Sequence, residues 1–160
     1  MILIKKIRIL IVFFIIALAV SGITAFPVET EIHWLLSHPS LIPTGLQDWL
    51  QRCYMALQDT NMHYPMLAYG YDWLGFAHLV IAIAFIGPYL NPVKNKWIID
   101  WAILACIAIV PLAFIAGPIR YIPVFHILID CSFGVLGLIP LIICRSWIKL
   151  LEKQNNQQYL

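Results

Sequence analysis

Four ionisable residues, His78, Asp100, His126 and Asp130, stand inside or at the edge of long apolar runs, where such a side chain is costly and points to a partner or a function. His126 and Asp130 are four residues apart, the spacing that sets two side chains on one helix face a turn apart. An imidazole beside a carboxylate in an apolar layer can relay a proton or coordinate a cation, as proton pathways and transporters do. Counted at about 1.5 Å per residue, His78 and His126 each lie about 6 Å below the outer end of their runs. Two imidazoles at matched depth on helices that run in the same direction are what a bis-histidine haem b requires, and a helix-bundle core is where such a cofactor sits. Arg120 and Tyr121, at the outer turn just above His126, could then meet the propionates. A plainer alternative is that His126 and Asp130 satisfy one another while His78 bonds a backbone carbonyl. Asp100 has Lys94, Lys96 and Arg145 on its side of the chain and reads as an interfacial ion pair.

The elements that must position these residues follow from composition. Of 160 residues, 62% are hydrophobic and 11% charged, with a mean hydropathy of +0.86. A soluble domain carries about a quarter of its residues as charges, so this chain cannot cover its apolar surface with polar groups. Four runs reach or approach the spanning length of about 20 residues: Ile7 to Phe26, Leu74 to Leu90, Trp97 to Gly117, and Ile122 to Trp147. Each is expected to be helical, because in lipid a helix satisfies its own backbone. The expected fold is an all-α polytopic membrane protein, one domain over 1–160, with four transmembrane helices in a bundle. The length leaves no room for a separate catalytic domain. A net charge of +2, with scattered basic residues, argues against a nucleic-acid partner.

Orientation follows from the basic residues. Lys5, Lys6, Arg8, Lys94, Lys96, Arg145, Lys149 and Lys153 fall on one side of a four-span chain, leaving Arg52 and Arg120 for the other. Cytoplasmic loops carry the excess of Lys and Arg, so both termini are expected in the cytoplasm and the segment 27–73 outside. The first run also has the outline of a signal peptide, but it is long for one and Ile23 is a poor residue near a cleavage site; retention is expected.

The external segment contains Thr44, Gly45, Leu46 and Gln47 in the form of a capping box. Leu46, Trp49, Leu50, Cys53, Tyr54 and Leu57 then follow the spacing of one apolar helix face. An amphipathic helix is expected over about 45–58, covering the outer mouth of the bundle, with the shorter apolar stretch Ile32 to Leu36 beside it. Asn61 to Pro65 should break that helix, and Tyr69 to Trp73 should form an interfacial aromatic belt. Pro88, Pro111 and Pro140 inside the runs can each open a carbonyl and kink a helix. Gly75, Gly87, Gly134 and Gly137 supply small surfaces for close helix approach. Of four cysteines only Cys53 is external, and no Cys-x-x-Cys is present, which argues against a thiol oxidoreductase. No motif of a P-loop, a metalloprotease helix or a serine nucleophile elbow occurs, and no catalytic or metal-ligating set is assigned.

The stretch Tyr69 to His78, with Asn91-Pro92-Val93-Lys94-Asn95 and Ala116-Gly117-Pro118-Ile119-Arg120, resembles an uncharacterised family of small four-helix proteins of the bacterial inner membrane. The resemblance implies that membrane and brings no activity, ligand or site with it. Two function classes stay open. One is a non-catalytic accessory or binding subunit working with larger membrane subunits, with haem b or quinone held through His78 and His126. The other is a small transporter or proton-conducting module centred on Asp130 and His126.

Overall fold

The computed structural model describes residues 2–157. The described chain is all-helical and contains no strand. Its helices are α1 (Ile2–Ala25), α2 (Val28–Leu36), α3 (Thr44–His63), α4 (Tyr69–Ala84), α5 (Ile86–Leu90), α6 (Lys96–Ile119) and α7 (Val124–Gln157), with single 3-10 turns at Pro39–Leu41 and Pro65–Leu67. Four stretches are long and apolar enough to cross a membrane: Ile2–Ala25, Pro65–Leu90, Lys96–Ile119 and Val124–Asn155.

Punctuation along the chain has local causes. After Pro27, Glu29 and Glu31 occupy the first turn of α2, where carboxylates complement the positive end of the helix dipole. Its last carbonyls are taken by nearby side chains: the Ser37 hydroxyl donates to His33 O at 2.9 Å, and His38 Nδ1 donates to Trp34 O at 2.8 Å. The capping box expected at Thr44 does not form. Pro43 stands at the cap position, and the Gln47 amide donates instead to the carbonyls of Pro39 and Ile42, at 3.2 and 3.4 Å. Helix α3 also runs five residues past the expected Gln58. Asp59 and His63, a turn apart and 2.9 Å from each other, support its last turn, and Tyr64 leaves the helical region (φ −137°, ψ 55°) because Pro65 follows it. Of the prolines inside the apolar runs, Pro88 accompanies an interruption: it offers no N–H to Ala84, and α4 ends there. Helices α6 and α7 continue through Pro111 and Pro140.

The chain divides into two compact units, one of residues 1–15 with 84–160 and one of residues 16–83. In the first, α6 and α7 form an antiparallel hairpin joined by a tight turn in which Tyr121 adopts φ 56° and Ile122 N–H bonds Gly117 O at 2.9 Å. The two backbones approach closely at Gly134, where a Cβ would stand 2.7 Å from Cys106 O, and at Gly117 the Ile127 side chain packs onto the bare backbone, its Cδ1 2.5 Å from where a Cβ would stand. Ile99, Leu141, Cys144 and Ile148 are buried in this unit together with Ile7 and Ile11 of α1, and Phe14 stacks on Phe85. Charges gather at the end that holds the start of α6 and the later turns of α7. There Arg145 Nε donates to Asp100, Lys96 pairs with Glu152 at 2.8 Å, Lys6 lies over the Trp147 ring, and Arg8 donates to Tyr89 O. Elsewhere the unit presents apolar side chains outward, among them Ile9, Leu104, Phe114, Phe133 and Ile139.

In the second unit, α2 and α3 also pair antiparallel. The Asn61 amide donates to Glu29, the His33 and Tyr54 rings stack at 5.4 Å, and Leu57 is buried. The later part of α1 meets α4 at Gly22 and Gly75, where a Cβ on either would stand 2.8 Å from the carbonyl oxygen of the other.

Candidate functional site

Helix α7 starts just after Pro123, whose carbonyl accepts the His126 backbone N–H at 2.9 Å, so His126 sits in the first turn with Asp130 directly below it. His126 Nε2 and Asp130 Oδ1 are 3.8 Å apart, and the side chains are 39% and 44% exposed. That separation exceeds a direct hydrogen bond. It suits an ion pair when the imidazole is protonated, and a proton could cross it after a rotamer change or through one bridging water. Both residues lie on a flank of α7 adjoining its buried stripe of Ile127, Cys131 and Gly134, so they are neither in the core nor on the outermost face.

His78 belongs to the other compact unit. It is half-buried on α4, and its Nδ1 lies 2.8 Å from the Leu74 carbonyl oxygen one turn back. A carbonyl only accepts, so Nδ1 carries the hydrogen, and a neutral ring presents a lone pair at Nε2. This is the backbone bond of the plainer sequence reading. It is also the bond that orients many ligating histidines, with the second nitrogen left for a metal or a donor. Arg120 caps the C-terminus of α6; its side chain is exposed and forms no ion pair among the described residues. Of the residues singled out in the sequence, the structure therefore brings together His126 and Asp130, and separately Asp100 and Arg145. Among the described residues no group of three or more His, Cys, Asp and Glu side chains is placed to hold a metal ion. Cys53 on α3 is a free, half-buried thiol whose burial pushes its pKa up, away from the thiolate form that reacts.

The sequence reading passed over two cavities in the unit 16–83. One, of about 280 Å³, is walled by Phe26, Tyr69, Trp73 and Phe76 with Asp72. The other, of about 190 Å³, is lined by Glu29, Thr30, Asn61, Tyr71 and Asp72 among others. They share Phe26 and Asp72, so they adjoin. Glu29 and Asp72 are 43 positions apart in the sequence, and no local spacing could have paired them. The nearest available signal was the excess of acid over base in the segment 27–73.

No protein-family model, curated protein or solved structure matches this chain.

Proposed function

We propose that this chain is a multi-pass protein of the bacterial inner membrane, a four-helix bundle with both termini in the cytoplasm, serving as a non-catalytic accessory or binding subunit. The observation that carries the membrane reading is the set of four helices long and apolar enough to span, whose apolar side chains face outward in number. The basic residues support the orientation: eight of the ten fall on the side assigned to the cytoplasm. Reporter fusions test it. Alkaline phosphatase fused after Gln58 should be active, and the same enzyme fused after Lys94 or at the C-terminus inactive; the reverse pattern would overturn the orientation.

As ligand we propose haem b or a quinone, taken through His78 and His126, with Arg120 toward the propionates in the case of haem. What supports His78 is its ring: Nδ1 is committed to Leu74 O, which in the neutral ring leaves the lone pair at Nε2 for a ligand. Purified protein should show a Soret band, or take up added haem to give one, and His78→Ala or His126→Ala should abolish it. A colourless preparation that takes up no haem removes the haem reading. A second reading has its own observation. Asp130 and His126, 3.8 Å apart on one helix face, suit a proton or cation relay. In proteoliposomes Asp130→Asn should then abolish pH-dependent flux, and unchanged flux rejects it.

A further inference from the structure

We propose that the adjoining cavities of the unit 16–83 form a binding site for a lipophilic organic ammonium ion, with the apolar body of the ligand against Phe26, Tyr69, Trp73 and Phe76 and its cationic head between Glu29 and Asp72. Three observations carry this, and none depends on the haem or relay reading. The first is the division of surface: four aromatic rings wall the larger cavity with Asp72 at its junction with the smaller one, whose lining adds Glu29, Thr30 and Asn61. A ligand filling both must itself have an apolar and a polar end. The second is charge. Two carboxylates line the site and no Lys, Arg or His does, so the polar end must be cationic.

The third is the state of the two acids. The Asn61 amide donates to Glu29, which fixes that carboxylate across α2 and α3. The Asp72 side chain is exposed and has no hydrogen bond or ion pair among the described residues, and Trp73 follows it, with Tyr69 and Tyr71 close in sequence. An unpaired carboxylate next to aromatic rings is the composition that recognises alkylammonium groups, through charge attraction and through the negative faces of the rings. Tyr69 and Trp73 meet edge to face at 5.9 Å, as do Trp73 and Phe76 at 5.7 Å, so three of the four rings form a run along α4 whose outer faces stay exposed. An aminophospholipid headgroup fits less well than a simple amine. Its phosphate would stand close to Glu29 and Asp72 with no cationic side chain in the lining to receive it.

The test uses the full chain in maltoside micelles, which contain no amine, with benzyltrimethylammonium as probe and its neutral carbon isostere, neopentylbenzene, as control. Calorimetry or saturation-transfer NMR should show saturable binding of the cation and markedly weaker binding of the isostere. Glu29→Gln and Asp72→Asn, which keep shape and hydrogen bonding, should each weaken the cation by about 3- to 10-fold and leave the isostere unchanged. Trp73→Ala should weaken both ligands. Absence of binding to the wild-type protein, equal binding of the isostere, or unchanged affinity in both carboxylate variants would overturn the proposal. Phosphatidylethanolamine added to the micelles should not compete; if it displaces the probe, the choice of a simple amine over a lipid headgroup is wrong. Thermal unfolding of each variant, followed by circular dichroism, should match the wild type, and the isostere control reads the site even where it does not.

Discussion

The α6–α7 hairpin and the α2–α3 hairpin are both antiparallel helix pairs, yet they are fastened by different means. Between α6 and α7 the backbones come close enough at Gly134 that an added methyl group has no room, Ile127 packs directly onto Gly117, and most of the outward surface is apolar. Between α2 and α3 the ties are an amide on a carboxylate, a stacked His33–Tyr54 pair and one buried leucine, and the outward surface is mixed, with Glu31, Asp48, Gln51, Arg52 and Asp59 beside Trp34, Met55 and Met62. Burying apolar surface drives association only where the alternative is water. Helices that face hydrocarbon gain little that way and rely on close packing of small residues. The contrast is thus what a spanning pair and a water-exposed pair should show, and it supports assigning the two hairpins to different solvents.

The largest effect should come from filling the tight approach. Gly134→Val sets a side chain against the Cys106 backbone carbonyl, which cannot swing aside as a flexible side chain would. Overpacking of this kind costs about 3 kcal/mol. Denaturation in mixed micelles should therefore be shifted strongly, with faster amide exchange over 96–157, while exchange over 28–63 stays at its wild-type rate. Equal acceleration in both segments would show that the hairpins are one cooperative structure and dissolve the comparison.

How far this contrast could be read in advance depended on whether its cause is local. Run length and apolarity alone pointed to four long helices, because lipid or core leaves a 20-residue apolar run few other solutions. His126 and Asp130 were legible as neighbours because helical spacing alone stacks them. The end of α3 was not: Asn61 to Pro65 reads as a break after a helix over about 45–58, whereas in the fold Asp59 pairs with His63, Asn61 reaches across to Glu29, and the helix runs on to His63. Nor was the fate of the prolines, since Pro88, Pro111 and Pro140 carry the same local signal and only packing decides which helix is interrupted. The Glu29 and Asp72 cavities were invisible because they exist only once α2 and α3 have folded back.

A middle-sized effect should appear when the polar tie of the other hairpin is cut. Asn61→Ala removes the donor to Glu29 and leaves a half-buried carboxylate with one hydrogen bond fewer, a loss of about 1 kcal/mol for a group that water can partly reach. Amide exchange should quicken across α2 and the second half of α3, with the α6–α7 amides unmoved. Asn61→Asp should be worse than Asn61→Ala, because it sets a second negative charge against Glu29. If the two variants behave alike, Glu29 is not held by that amide and the hairpin rests on Leu57 and the ring stack alone.

The smallest effect should come from the ion pair of Asp100 and Arg145, although it is the most conspicuous polar contact of the α6–α7 hairpin. Its side chains are 38% and 40% exposed, so both ions stay partly solvated and their attraction is screened. A pair of that kind contributes about 0.5 kcal/mol. A double-mutant cycle of Asp100→Asn and Arg145→Gln should return a coupling of that size and lose it at high salt. The outcome also locates the edge of the apolar layer. A small, salt-sensitive coupling places Asp100 among headgroups and water, with the nearby Lys96 and Glu152 pair lying farther toward that end of the hairpin. A coupling of about 2 kcal/mol or more, insensitive to salt, would mean that both charges are desolvated. The spanning part of α6 would then have to begin before Asp100, and the hairpin would owe part of its cohesion to charge and not to close packing alone.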